Sequence, residues 1–165
     1  MATVTLKGNE IQTSGELPVV GSKAPNFSLT AGDLSTKTLQ DFTGSKVVLN
    51  IFPSLDTGTC ASSVREFNKI ASGLENTKVL CISRDLPFAQ GRFCGAEGLE
   101  NVINLSDYKD GSFGKDYDLI FINGPLDALL SRSVIVLDEN GMILYTEQVS
   151  ETANEPNYKA ALEVL

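Results

Sequence analysis

The sequence predicts an α/β fold in which a central mixed β-sheet is flanked by helices and preceded by an N-terminal β-hairpin. Apolar runs of strand length alternate with segments whose apolar residues recur every three or four positions, which is the pattern of an α/β protein. The last strands form a second hairpin pattern, so the sheet contains antiparallel as well as parallel pairs. No repeat or linker divides the 165 residues, and we expect one domain over residues 1–165.

Two segments have the alternating pattern of β-hairpins. The first, TVTLKGNEIQT, lies within residues 1–15 and is expected to turn at Gly8 and Asn9, which tolerate left-handed backbone angles. The second, SVIVLDENGMILYTEQ, is expected to turn at Glu139–Gly141. The N-terminal hairpin is predicted to cover one end of the domain.

Three apolar runs predict the strands between these hairpins. KVVLNIF, at 46–52, is apolar on both faces and therefore belongs in the middle of a sheet covered by helices. KVLCIS, at 78–83, predicts a second buried strand, and NVINL, at 101–105, a short one.

A segment with helical character follows each of the apolar runs at 46–52 and 78–83. Apolar residues spaced by three and four predict a helix of roughly four turns, at Ala61, Val64, Phe67, Ala71 and Leu74. The segment 86–98 predicts a weak helix, because it begins with a proline but contains three glycines. EPNYKAALEVL predicts a closing amphipathic helix.

Composition excludes several classes of function. A net charge of −8 and a pI near 4.5, with scattered Lys and Arg, argue against a nucleic-acid-binding or anionic-membrane-binding surface. The first twenty residues lack the pattern of a secretory signal, and no apolar run approaches the ~18 residues that span a bilayer. We therefore expect a cytoplasmic protein.

Three cysteines, at positions 60, 81 and 94, carry the chemical signal in a chain without histidine. They are too few for a disulfide framework, and separations of 21 and 13 residues do not match a zinc site. A Cys-x-x-Cys motif is also absent. Only separated thiols remain, and each is either a reactive group or a small buried apolar residue.

Cys60 has the sequence environment most favourable to reactivity. It follows PSLDTGT at a strand-to-helix junction, where free N–H groups and the helix dipole favour a thiolate. Pro53 ends the strand, Asp56 or Thr57 can cap the helix, and the Thr57 hydroxyl can face the sulfur. Fast thiol chemistry also needs a fixed cation. The candidates are Arg65, Arg84, Arg92 and Arg132, of which Arg132 is favoured because it begins a buried strand.

The other two cysteines differ in their surroundings. Cys81 lies inside a buried strand and is interpreted as core packing. Cys94 lies among glycines that make local unwinding easy, so its thiol can travel to another. From the residues alone, three functions remain open: a thiol-dependent enzyme, a thiol-disulfide oxidoreductase or redox sensor, and a non-enzymatic binding module with packed cysteines.

The motifs PSLDTGTC, LCISRDLPFAQGRFCGAEGLENV, SRSVIVLDENG and EPNYKAAL together resemble the thiol peroxidase family, the atypical two-cysteine branch of the peroxiredoxins. The resemblance covers essentially the whole chain. It implies a thioredoxin-like fold and places the peroxidatic cysteine at Cys60 and the resolving cysteine at Cys94. Pro53, Thr57 and Arg132 match the family's other active-site positions, and Cys81 has no role in that scheme.

The resemblance also implies the reaction and its partners. Cys60 is expected to reduce hydrogen peroxide or an organic hydroperoxide, and the resulting sulfenic acid to form an intramolecular disulfide with Cys94. Thioredoxin is the expected reductant, no metal or organic cofactor is expected, and the protein is expected to form a homodimer. The apolar segment 119–130 predicts a greasy rim near Arg132 that favours alkyl peroxides.

Overall fold

The computed structural model describes residues 1–165 and contains two β-sheets and four α-helices. The strands are β1 (Thr3–Leu6), β2 (Asn9–Gln12), β3 (Ser28–Ala31), β4 (Thr36–Thr38), β5 (Lys46–Ile51), β6 (Thr77–Ser83), β7 (Ile103–Ser106), β8 (Ser133–Leu137) and β9 (Ile143–Gln148). The helices are α1 (Gly58–Ala71), α2 (Pro87–Glu97), α3 (Ser112–Asp116) and α4 (Tyr158–Leu162), with a 3₁₀ helix at Leu39–Phe42. None of these helices has the length and hydrophobicity needed to cross a bilayer.

The main sheet has seven strands in the order β4-β3-β7-β6-β5-β8-β9. Strands β5, β6 and β7 are parallel to one another, whereas β8 pairs antiparallel with both β5 and β9. The predicted mixed sheet is therefore confirmed, with β5 between β6 and β8 as the apolar pattern indicated. The β1–β2 hairpin forms a separate two-stranded sheet.

Alternate residues of β5 serve two different cores. Val47, Leu49 and Ile51 pack in a cluster of 18 buried residues on one face of the sheet. Val48 belongs to a second cluster of 13 buried residues on the other face, which includes apolar residues of α1, α2 and α4. All three cysteines lie in this second cluster, so the fold places them on the same side of the sheet.

Two predicted elements differ in detail. The N-terminal hairpin turns at Lys7 and Gly8, both with positive φ, one residue before the predicted pair, because Asn9 already pairs with Leu6. The closing helix is a short segment, Tyr158–Leu162, whose first turn is capped by the Asn157 side chain accepting from the Ala160 amide. The short α3 had no recognisable periodic pattern and was not predicted.

The contact between α1 and α4 yields a stability prediction. Phe67 in α1 is 1% exposed and packs edge-on against Tyr158 at 5.1 Å between ring centroids. Phe67→Ala is expected to lower the free energy of unfolding by about 3–5 kcal/mol, because it leaves a cavity in the core. Urea unfolding followed by circular dichroism measures the change.

Phe88→Ala is the matched control, because Phe88 is 69% exposed. Its expected effect is within about 0.5 kcal/mol. Equal destabilisation by the two substitutions would contradict this packing of α1.

Candidate active site

The loop between β5 and α1 is held in place by one carboxylate. Asp85, just after β6, accepts hydrogen bonds from the Ser54 hydroxyl at 2.7 Å and the Leu55 amide at 2.8 Å. Pro53 is buried two residues after the last residue of β5 and cannot extend the ladder of that strand. The chain therefore leaves the sheet at a fixed point and enters α1 from a fixed direction.

Thr57 is the residue that precedes α1, with extended backbone angles. Its hydroxyl donates to the Ser54 carbonyl at 3.0 Å, and neither it nor Asp56 provides a side-chain cap, so the capping prediction is wrong. The physical reason is that the bond to the Ser54 carbonyl turns the hydroxyl back toward the loop, so its oxygen accepts from no amide in the first turn of α1. The hydroxyl uses its hydrogen to donate to the Ser54 carbonyl, and its oxygen can still accept a hydrogen bond at the entrance to α1.

Cys60 lies in the first turn of α1 and is fully buried. Arg132, which is 2% exposed, donates from Nη2 to the Cys60 sulfur at 3.2 Å. Strand pairing explains the contact, because Ile51 at the end of β5 pairs with Ser133 at the start of β8. The residue before Ser133 is thereby placed beside the start of α1.

Arg132 is itself fixed by a backbone acceptor. Its Nε donates to the Thr152 carbonyl at 3.0 Å, whereas Nη1 is buried and has no partner in the protein. The other candidate arginines lie elsewhere: Arg65 pairs with Glu97, Arg84 donates to the Ala128 carbonyl, and Arg92 lies 4.0 Å from Asp56. The buried cation beside Cys60 can stabilise negative charge on sulfur and on an oxygen bound next to it.

A pocket of about 340 Å³ opens above this pair. Pro53, Thr57 and Arg132 line it, and Leu6, Lys7 and Leu126 also contribute to its wall. Cys60 lies beneath these residues and does not line the pocket itself. A larger cavity of about 450 Å³ at the opposite end of β5 and β8 has neither cysteine nor arginine in its lining, so the chemistry belongs to the smaller pocket.

The predicted greasy rim contributes one residue to the pocket wall, and its other apolar side chains are divided between the core and the surface. Leu119, Phe121 and Leu130 are fully buried, and of the segment 119–130 only Leu126 lines the pocket. The reason is that this segment folds back on itself through backbone hydrogen bonds. Leu119 and Leu130 thereby enter the 18-residue cluster, and Phe121 packs in a small cluster with Val4 and Ile11 of the N-terminal hairpin.

Several pocket residues had no signal in the sequence. Thr152 contributes through its carbonyl, and Leu6 and Lys7 come from the tip of the N-terminal hairpin. The hairpin was expected to cover one end of the domain, but its alternating pattern did not indicate which end. No three His, Cys, Asp or Glu side chains lie together as potential metal ligands.

The three cysteines are free thiols with different surroundings. Burial raises the pKa of the Cys81 thiol to about 12, although the Asn50 amide donates to its sulfur at 3.7 Å. Burial also raises the pKa of Cys94, opposed by a hydrogen bond from the Asn104 amide at 2.9 Å. Cys94 and Cys60 lie in different helices, α2 and α1, on the same face of the sheet.

Comparisons with known proteins agree with this geometry. The model of the Redoxin family matches residues 19–162. Thiol peroxidases of Corynebacterium glutamicum and Mycobacterium tuberculosis are each 54% identical over 165 residues, which cover 100% of this chain and 99% of those proteins. The crystal structure of a peroxiredoxin-like protein from Aquifex aeolicus matches with a TM-score of 0.93 and 34% identity, over 99% of this chain and 96% of that chain.

The burial of Cys81 predicts how the native thiols react. With a pKa of about 12, Cys81 carries almost no thiolate at pH 8, and its sulfur is also sterically closed. Iodoacetamide added to the reduced native protein at pH 8 is expected to leave Cys81 unmodified, and its labelling rate should keep rising with pH beyond pH 10. Peptide mass spectrometry measures the label.

The same experiment in urea is the control, since all three thiols should then react at similar rates. Native labelling of Cys81 as fast as in urea would contradict its placement in the core.

Proposed function

Because the chain belongs to the Redoxin family and is a peroxidase of the peroxiredoxin type, we propose that Cys60 is its peroxidatic residue and Cys94 its resolving residue. The observation that supports this assignment best is the hydrogen bond from the buried Arg132 to the Cys60 sulfur, at 3.2 Å. Of the three thiols, only Cys60 contacts a cation next to a pocket. This assignment names the residues that would carry out thiol-dependent peroxide reduction in this chain.

In the first step, the Cys60 thiolate attacks the terminal oxygen of ROOH. The S–O bond forms as the O–O bond breaks, which leaves a sulfenic acid on Cys60 and an alkoxide that takes a proton to become ROH. Arg132 stabilises both charges, because Nη2 contacts the sulfur and Nη1 is free to donate to the leaving oxygen. The Thr57 oxygen accepts a hydrogen bond from the peroxide O–H, which stays on the transferred oxygen, and this bond orients the substrate.

In the second step, the Cys94 sulfur attacks the sulfenic sulfur of Cys60. The disulfide forms as the S–O bond breaks and water leaves. Because the two residues lie in separate helices in the reduced form, α1 and α2 must unwind locally to bring the sulfurs to bonding distance.

The attachment of α2 is suited to such a rearrangement. Only three of its eleven residues are buried: Pro87, Gln90 and Cys94. Two of its polar residues also make contacts, since the buried Gln90 amide donates to the Leu105 carbonyl at 3.0 Å and Glu97 pairs with Arg65 at 2.7 Å on the surface. A hydrogen bond contributes about 0.5–1.5 kcal/mol and an exposed ion pair about 0–1 kcal/mol, so detaching this helix costs less than moving an apolar helix.

A reduced dithiol protein of the thioredoxin type then restores the two thiols by exchange. Sulfur carries both electrons in every step, so the proposed cycle uses no metal or organic cofactor. We also propose that the protein forms a homodimer, because its sequence resembles the thiol peroxidase family.

Cysteine variants test the proposed cycle. With thioredoxin, thioredoxin reductase and NADPH, Cys60→Ser is expected to abolish peroxide-dependent NADPH oxidation. Cys94→Ser is expected to consume about one equivalent of peroxide and then lose at least about tenfold in turnover, because the sulfenic acid forms but is not resolved. Spectrophotometry at 340 nm and intact mass measure the two quantities.

Cys81→Ala is the matched control and should keep turnover within about twofold, since this residue only packs. Sustained turnover by Cys60→Ser would contradict the assignment of the peroxidatic residue. Full turnover by Cys94→Ser would contradict the assignment of the resolving residue.

A further inference from the structure

The carboxylate of Glu151 joins the N-terminal hairpin to the segment after β9. It accepts four hydrogen bonds: from the Thr5 hydroxyl at 2.6 Å, the Lys7 amide at 2.8 Å, the Gly8 amide at 3.1 Å and the Ala153 amide at 3.1 Å. Each of its two oxygens accepts two of these bonds. The bond from Thr5 and the three amides together lower the pKa of Glu151 to about 2, so the carboxylate stays charged at working pH.

The residues after Glu151 contact the reacting groups. The Thr152 carbonyl accepts from Arg132 Nε at 3.0 Å, and the Ala153 carbonyl accepts from the hydroxyl of Thr59, the neighbour of Cys60, at 2.9 Å. One short segment therefore contacts the hairpin through a side chain and the active site through its backbone.

Backbone bonds hold most of this segment without the carboxylate. The Thr5 amide donates to the Ser150 carbonyl at 2.8 Å, and the Thr152 amide donates to the Thr5 carbonyl at 2.7 Å. Loss of the Glu151 side chain should therefore leave the acceptor of Arg132 in place. The hairpin turn is different, because the amides of Lys7 and Gly8 are fixed to this segment by the carboxylate.

The turn that the carboxylate fixes is also a wall of the pocket. Leu6 and Lys7 line it together with Leu126, in the same pocket as Thr57 and Arg132. Hydrogen peroxide has no substituent and needs only the polar groups of Thr57 and Arg132. A hydroperoxide with an organic substituent must also place that substituent against the apolar lining, to which Leu6 and Leu126 belong.

We propose that Glu151 is a positioning residue that holds the hairpin tip against the pocket and thereby sets the preference for organic hydroperoxides over hydrogen peroxide. The inference rests on the proposed function, because it takes Cys60 as the residue that meets the peroxide. Glu151 touches no substrate and acts through Leu6 and Lys7.

The test compares two substrates in one variant. The rate constants of Cys60 oxidation by cumene hydroperoxide and by hydrogen peroxide are measured by stopped-flow with reduced protein. In Glu151→Ala the ratio of the two constants is expected to fall about tenfold, the size of a lost apolar substrate contact. The constant for hydrogen peroxide should stay within about twofold of the original.

Two further variants make the comparison specific. Glu151→Gln keeps the side-chain volume and one acceptor oxygen, so it should lower the ratio less than Glu151→Ala, and it serves if the alanine variant does not fold. Glu10→Gln removes the same charge from an exposed position of the same hairpin and should leave the ratio unchanged.

A parallel fall of both rate constants, or no change in either, would overturn the proposal. A merely structural role of Glu151 would lower both constants together, whereas the proposal requires their ratio to change. Failure of the proposed function is distinguishable, because the unsubstituted protein would then show no Cys60 oxidation with either peroxide.

Discussion

The contact between the Arg132 guanidinium and the Cys60 sulfur is the interaction on which the site depends. A buried cation is costly to desolvate and is tolerated only where its donors are satisfied. Here the sulfur takes one donor at 3.2 Å and the Thr152 carbonyl another at 3.0 Å, while the third nitrogen has no partner in the protein. The fold thus holds one buried charge against a thiol and leaves one of its donors without a protein partner.

Three distant parts of the chain must meet to make this contact. The pairing of β8 with β5 sets Arg132 beside the start of α1, and Asp85 fixes the loop that leads into that helix. The segment after β9 supplies the acceptor for Arg132 and, through Glu151, the attachment of the hairpin tip. Cys60 is fully buried beside Arg132, whereas Cys94 lies in a helix with few buried residues, and the proposed roles of the two thiols require such a difference.

The features that the sequence predicted are those encoded locally. Apolar runs and their flanking residues were enough for the central strand β5, for α1 and for the position of Cys60 in its first turn. Arg132 was also found, because the start of a buried strand is a local feature. Thr152 and Glu151 were not found, since a carbonyl acceptor can come from any residue and a surface glutamate has no distinctive pattern. The hairpin turn shifted by one residue because strand pairing, rather than the preference of Asn for left-handed angles, set its position.

The most direct test of this account is the rate of Cys60 oxidation after removal of the buried cation. Stopped-flow measurement with one equivalent of hydroperoxide should show Arg132→Met slower by about 10²–10³-fold, the typical cost of losing a preorganised charge-stabilising donor. Arg92→Met, which removes a largely exposed arginine, should react at the original rate. An Arg132→Met protein that is folded and oxidises Cys60 as fast as the original would contradict the account, because the contact would then have no part in the chemistry.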